Sequence, residues 1–338
     1  MTPRNRIHNI IARKPADRCG FWVGNPHPES LDAYHSYFGT SSLEGLHTRL
    51  GSDFRWLSPQ LMKSTYRHPE GKEIFGVWQL KASLGDAGPF SDCEDVRELD
   101  AFDWPRLEYL DFSECLSELE HARDYYRASG FWAPFFHDVM DLFGMESYLT
   151  KMYTHPEIVQ AVTDRVCTFY YEANELFFDQ AKDLIDGYFF GNDFGTQRDL
   201  LVSLDQFDEF VYPWFKKFTT QAHSRGYQVI LHSCGSVHRV IDRLIAAGVE
   251  CLHPLQAKAA NMDAETLKRD FGGKISFLGG IDTQHILVNA SPDEVKEEVR
   301  RVRRILGPDL IISPSHEALL PNVQPENVKA MAEAALEQ

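Results

Sequence analysis

Val229-Ile230-Leu231-His232-Ser233-Cys234-Gly235 is the stretch on which the reading of this chain turns. The apolar run has the character of a buried strand, and it ends in His-x-Cys-Gly. Side chains at i and i+2 of a strand project to the same side, so His232 and Cys234 are expected on one face. An imidazole and a thiolate on one face make half of a zinc site, because zinc takes nitrogen and sulfur ligands in a tetrahedron. Gly235 reads as the opening of a helix. That would put Cys234 at a helix N-terminus and lower its thiol pKa.

The same grammar repeats on both sides. An apolar run from 183 to 191 leads into Asn192-Asp193, and a helical pattern follows over 204–225, with Ser203 as N-cap and Gly226 as its close. After the 229–231 strand come a helix over 237–247, a strand over 250–253, a helix over 263–271 and a strand over 275–278. The amphipathic helix Pro292–Leu306, a strand over 310–312 and a helix over 325–336 complete the series. Short apolar strands alternating with helices predict parallel strands covered by helices. A (β/α)8 TIM barrel is the first choice and a doubly wound open sheet the second. No G-x-G-x-x-G follows the first strand, which weighs against dinucleotide binding. Residues 1–338 are expected to form a single barrel domain.

The first half is less regular. Residues 3–13 read as a short helix entered through Thr2-Pro3. The region 25–110 is rich in Pro, Gly, Tyr and Trp, including Trp56, Trp78 and Trp104. It reads as an N-terminal insertion covering the barrel mouth, after an early strand near 19–23. Residues 156–182 read as one long helix.

Composition narrows the function. A net charge of -16 disfavours nucleic acid and anionic membrane as partners, since phosphate contacts need clustered cations. The basic run Lys296, Arg300, Arg301, Arg303 and Arg304 is laced with Glu294, Glu297 and Glu298 at helical spacing, as on a solvated face. No apolar stretch approaches the ~20 residues of a membrane span. The N-terminus lacks the apolar core of a signal peptide, so a cytoplasmic protein is expected. The six cysteines show no paired spacing and are expected as thiols.

Barrel chemistry sits at the C-terminal ends of the strands. Those ends deliver Asn192 and Asp193, His232 and Cys234, His253 and Gln256, Asp282, and Ser315, His316 and Glu317. His316 is the natural third metal ligand, with Glu317 and Asp193 as alternatives. Cys251 lies at the start of its strand and is expected to point elsewhere. Asp193 reads as an acid/base group or a turn residue, and Asp282 as a substrate contact or a helix cap. His137 and Asp138 read as another strand-end pair, after the apolar run 131–136. Trp132, Phe135 and Phe136 read as core. No G-x-S-x-G elbow, P-loop or H-E-x-x-H is present.

Thr2-Pro3-Arg4-Asn5-Arg6, Asn192-Asp193-Phe194-Gly195, His232-Ser233-Cys234-Gly235-Ser236, His253-Pro254-Leu255-Gln256, Phe277-Leu278-Gly279-Gly280-Ile281-Asp282-Thr283-Gln284 and Pro325-Glu326-Asn327 together resemble the uroporphyrinogen decarboxylase superfamily. The resemblance implies a (β/α)8 barrel and, commonly, a homodimer. The true decarboxylases carry an arginine-bearing N-terminal motif for the porphyrinogen carboxylates. Here the matching region is Gly20-Phe21-Trp22-Val23-Gly24-Asn25-Pro26-His27, without an arginine. The other branch, zinc-dependent methyltransferases of corrinoid systems, carries His-x-Cys and a distant Cys as zinc ligands. His232 and Cys234 match the pair, and His316 stands where the distant Cys is expected.

The resemblance therefore implies a zinc-dependent methyltransferase acting on a small molecule, with the corrinoid (cobalamin) carried by a partner protein. Zinc would be held by His232, Cys234 and His316. Asp193, His232 and His316 would be catalytic, and Asn192, Gln256, Asp282 and His137 would bind substrate. The alternatives are a metal-independent decarboxylase or lyase of a small carboxylic acid, with Asp193 and His232 as acid/base groups, and a non-catalytic barrel that binds a ligand without turnover.

Overall fold

The computed structural model describes residues 1–75 and 87–337; Trp78 lies outside the described residues. Eight parallel strands form the sheet: β1 Gly20–Phe21, β2 Phe54–Trp56, β3 Tyr126–Ser129, β4 Gly187–Gly191, β5 Gln228–His232, β6 Cys251–His253, β7 Ser276–Ile281 and β8 Leu310–Pro314. The ladder runs from β2 through β3, β4, β5, β6, β7 and β8 to β1. A different device closes the ring between β1 and β2. The Asp53 backbone N–H donates to Phe21 O at 2.7 Å, and the Phe21 N–H donates to Asp53 Oδ2 at 3.0 Å. The result is the expected (β/α)8 barrel.

Its interior is one apolar cluster: Trp22, Phe54, Tyr126, Ala128, Phe189, Ile230, Cys251, Leu278 and Ile311, joined by Ile7, Ile10 and Ile11. The three isoleucines belong to the helix Pro3–Ile11, whose Thr2 hydroxyl accepts from the Asn5 N–H at 3.2 Å. Hydrogen bonds from Ser276 Oγ to Ile10 O and from Gln228 Nε2 to His8 O fasten this helix across the strand starts. It is a plug for the N-terminal end. Cys251 is buried at that lower level, as its position in the strand predicts. The motif Arg4-Asn5-Arg6 also has a structural account: Arg4 pairs with Asp186 at 2.7 Å, and Arg6 with Asp53 at 2.6 Å and Asp17 at 2.7 Å.

Outside the barrel, Pro292–Leu306 shows how the helices are specified. Ser291 and Glu294 form a capping box, and Val295, Val299, Val302 and Leu306 make the buried stripe. Its basic residues are paired outward: Lys296 with Glu333, Arg300 with Glu337, and Arg301 with Glu298 and Glu265. No helix among the described residues is long and apolar enough to cross a membrane.

Four expectations need correction. The region 25–110 is not a single insertion, because it contains the helices Pro28–Phe38 and Leu43–Leu50 and the barrel strand β2. The true excursion runs from β2 to β3, and its described parts rest on the outer helices Phe135–Phe143, Met145–Thr154 and Pro156–Ala181. There the Phe90 N–H donates to Leu142 O, Lys151 Nζ to Cys93 O and Arg165 Nη1 to Leu99 O. The run 131–136 is not a strand: β3 ends at Ser129, and His137 and Asp138 lie in the first turn of Phe135–Phe143. The helix after β4 is interrupted: Leu204–Gln206 passes into a π-turn over Phe207–Val211 before Tyr212–Ser224. Pro213, which has no N–H to continue the ladder, sits at that junction. Finally, Gly235 opens no helix. The chain after Cys234 is a loop, then a 3₁₀ turn at His238–Val240, and the helix proper is Ile241–Ala247.

Candidate functional site

β5 and β6 run in register with His232 beside His253, so both imidazoles reach the C-terminal end of the barrel at one level. The Ser233 N–H donates to His253 O at 2.7 Å, and the Asn192 N–H to His232 O at 2.9 Å, which fixes the three strand ends together. His232 is buried and meets a different set of groups through each ring nitrogen. Its Nε2 lies 3.3 Å from Cys234 Sγ and 3.4 Å from Asp193 Oδ1. Its Nδ1 lies 2.9 Å from His253 Nδ1 and 3.5 Å from Glu317 Oε2.

The loops that bring Asp193 and Cys234 together are locked to one another. Asp193 Oδ1 accepts from the Cys234 N–H at 2.7 Å, and Thr196 O from the Ser236 N–H at 2.7 Å. Gly195 lets them touch: a Cβ there would sit 2.7 Å from Cys234 O and 2.8 Å from Ser236 N. Gln256 Oε1 accepts from the Gly235 N–H at 2.5 Å and holds the same turn from the β6 side.

Electrostatics follow from this crowding. Burial opposes a charge on His232, but Glu317, Cys234 and Asp193 outweigh it and hold the imidazole well above its ordinary value. Burial, then the charges of His232 and His316, push His253 well below its own, so it is neutral. Burial would raise the Cys234 thiol; the charge of His232 and hydrogen bonds from His232 and His316 win, and the thiol is lowered. The cause is therefore the two histidines, not a helix N-terminus. Asp193 is likewise held far below the carboxylate range despite burial, by His232 and the Cys234 N–H.

The remaining site residues of the sequence reading separate into two groups. His316 comes to the site: it hydrogen-bonds Cys234, its Nδ1 accepts from the Ala318 N–H at 3.1 Å, and its ring stands edge-on to His232. His137 also arrives, with Nε2 3.9 Å from Asp193 Oδ2. Asn192 is spent on scaffold, because its amide donates to Ala133 O at 3.0 Å and accepts from the Phe136 N–H at 2.8 Å. Asp282 caps the helix Ile286–Asn289, accepting from the His285 and Ile286 N–H groups at 2.8 and 3.1 Å. His253 and Glu317 are more intimate with His232 than the sequence reading allowed. Their signal was present in their places immediately at, or just beyond, a strand end.

Asp193, His232 and Cys234 offer ligand atoms that all lie within 4.8 Å of one another. Tetrahedral zinc with bonds of about 2.0–2.3 Å separates its ligand atoms by about 3.3–3.6 Å, the spacing found around His232 Nε2. The donor set, one nitrogen, one sulfur and one carboxylate oxygen, suits that ion. His316 stands one step out, on the thiol. A second trio, His232, His253 and Glu317, shares the same imidazole from its other side.

The uroporphyrinogen decarboxylase (URO-D) family model matches residues 92–338. Among solved structures, a methyltransferase from Methanosarcina mazei shares the fold at a TM-score of 0.67 and 17% identity, over 99% of this chain and 98% of that one. A candidate vitamin-B12 independent methionine synthase from Listeria monocytogenes aligns at a TM-score of 0.45 and 8% identity, over 94% of this chain and 98% of that one. No curated protein matches the chain. With the family model spanning most of the chain and the barrel in place, the chain belongs to the uroporphyrinogen decarboxylase family.

Proposed function

We propose that this protein is a zinc-dependent methyltransferase that acts on a small molecule together with a separate corrinoid protein. The observation that carries the reading is the convergence of Cys234 Sγ and Asp193 Oδ1 on His232 Nε2, at 3.3 and 3.4 Å. Family membership supports it, as does the likeness to the Methanosarcina mazei methyltransferase. The arginine-free segment from Gly20 to His27 speaks against a porphyrinogen with many carboxylates.

His232, Cys234 and Asp193 would hold the ion. Zinc supplies a Lewis acid there, able to polarise a methyl donor's oxygen or nitrogen or to lower the pKa of an acceptor thiol. The chain's own residues do the rest. His316 hydrogen-bonds the Cys234 sulfur and moderates its charge. His137 faces Asp193 from the helix Phe135–Phe143. The Asp193 and Cys234 loops, tied through Gly195 and Gln256, keep the ligand atoms in place before any substrate arrives. Trp132 packs edge-on against His232 with ring centroids 5.0 Å apart.

Metal analysis of protein purified without chelator tests the reading. The expected result is close to one zinc per chain in the wild type, lost in His232→Ala and in Cys234→Ala. Wild-type protein that is free of metal, and whose melting and ligand binding ignore added zinc, overturns it. The charged His232 beside ionised Asp193 favours a second reading, acid/base catalysis without metal in a decarboxylase or lyase. That activity would survive chelation.

A further inference from the structure

A cleft of about 460 Å³ opens at the N-terminal end of the barrel, the end opposite His232, between the segment leading into β1 and the last turn of the helix Pro292–Leu306. Arg18, Arg300, Arg303 and Arg304 line it, with Cys19 and Gly307 among the rest, and among the described residues no acidic side chain does. Four arginines on one cleft run against the charge of the chain as a whole, which is -16.

The carboxylates behind these arginines are outnumbered. Arg18 holds Asp53 at 2.8 Å, but Asp53 is shared with Arg6 at 2.6 Å. Glu337 is shared by Arg300 and, at 3.8 Å, by Arg303. Arg304 is exposed and, among the described residues, meets no hydrogen-bond or ion-pair partner. Two of the four are held in place from behind. Arg303 donates to Ala334 O at 2.8 Å and Glu337 O at 2.7 Å, and Arg18 to Cys19 O at 2.8 Å. Guanidinium groups fixed in this way lose little freedom when an anion arrives. Two groups that could oppose an anion are already quiet. Burial, outweighing Arg303 and Arg18, raises the Cys19 thiol, so it stays neutral. Gly307 O, at the negative end of the helix, is covered by Lys268 Nζ at 3.1 Å.

The ligand follows from the donors. Arginine forks match carboxylate or phosphate. A carboxylate has one charge on a planar pair of oxygens and satisfies one fork. A phosphoryl group has up to two charges and three oxygens, so it can meet several forks at once. The cleft has room for more than one such group, and its walls bring no aromatic ring on which a base would stack.

We propose that the cleft bounded by Arg18, Arg300, Arg303 and Arg304 binds a small metabolite through a chain of two or more phosphates. The site is independent of the zinc reading, since it lies at the other end of the barrel and uses none of the same residues.

Isothermal titration of the full chain with inorganic diphosphate, ADP and propane-1,2,3-tricarboxylate tests it. Diphosphate and ADP are expected to bind saturably, and the tricarboxylate at least about 10-fold more weakly. Equal affinity for diphosphate and ADP places recognition in the phosphates alone, and tighter ADP binding names a nucleotide as their source. Arg304→Gln, which removes an exposed and unpaired side chain, is expected to weaken diphosphate binding about 5- to 10-fold. Arg123→Gln is the control: this exposed arginine, paired with Glu120 just ahead of β3, lies outside the cleft, and its loss should change binding by less than about twofold. Repeating the titration on EDTA-stripped protein separates binding from extraction of zinc at the His232 site, and the isotherm should persist. The proposal is overturned by wild-type protein that shows no saturable binding up to about 5 mM diphosphate at about 50 mM salt. It is equally overturned by an isotherm that vanishes with the zinc, a tricarboxylate that binds as tightly, or an Arg304→Gln protein that binds like the wild type.

Discussion

On the zinc reading, Gly195→Ala is expected to weaken metal binding at the site while leaving the barrel folded. The added Cβ would stand 2.7 Å from Cys234 O, 2.8 Å from Ser236 N and 2.9 Å from the Gly235 carbonyl carbon. All three are backbone atoms of the loop that carries Cys234, so no side chain can swing aside. Real Cβ contacts essentially never fall under 3.0 Å and become ordinary at 3.4 Å, so the Asp193 and Cys234 loops must part by about 0.3–0.7 Å. Metal–ligand distances tolerate about 0.2 Å. Zinc affinity should therefore fall about 10- to 100-fold, the range seen when groups supporting metal ligands are removed. Competition against a chromophoric zinc chelator reads the affinity, and thermal melting in zinc-free buffer reads the fold. Gly226→Ala is the control. It has φ +80 and open space around its Cβ, so it costs about 1–2 kcal/mol of backbone strain without displacing anything at the site. It should melt lower and bind zinc normally. A folded Gly195→Ala protein that binds zinc within threefold of wild type would refute the claim that contact between these two loops sets the ligand geometry.

Two further outcomes are expected. In zinc-free protein, Cys234 should be the first of the six cysteines to react with iodoacetamide, with a pH midpoint below the ordinary 9.0, because its thiol alone is lowered while Cys19, Cys93, Cys115, Cys167 and Cys251 are raised by burial. Peptide mapping checks the order, and uniform labelling would contradict it. Asp138 is buried under the Tyr170 hydroxyl at 2.7 Å, and burial pushes its carboxyl up to about 7 from 3.8. The folded state thus keeps a proton that the unfolded chain releases. Stability should be greatest below pH ~4 on this account and fall as pH rises toward 7, by up to about 4 kcal/mol. Urea unfolding at pH 5 and pH 8 should show that slope in the wild type and lose it in Asp138→Asn.

The second half of the fold was legible because its strands are apolar on both faces and its helices are capped in sequence. β5, β6, β7 and β8 were found for that reason. β2 and β3 were missed because each carries an arginine at its outward position. Arg55 is held by Glu44 and lies over Tyr125, and Arg127 is held by Asp186. Only the folded state shows these charges satisfied, so no apolar run betrays either strand. At the site, His232, Cys234, Asp193 and His316 could be chosen because strand ends converge in a barrel. The approach of Asp193 Oδ1 to His232 Nε2 could not, since it depends on how two loops abut at Gly195. Nor could the source of the lowered thiol, which lies in neighbours rather than in a helix end.

Among the described residues, the barrel's one break in the ladder lies between β1 and β2, where Asp53 stands in for a run of paired backbone groups and is itself gripped by Arg6 and Arg18. Counted round the ring, that joint is diametrically opposite β5 and β6. His232 and His253 occupy that far wall, where the ladder between β5 and β6 is continuous. The N-terminal arginines act as a clasp: Arg6 and Arg18 on Asp53 hold by ion pairs the one joint that has no strand ladder.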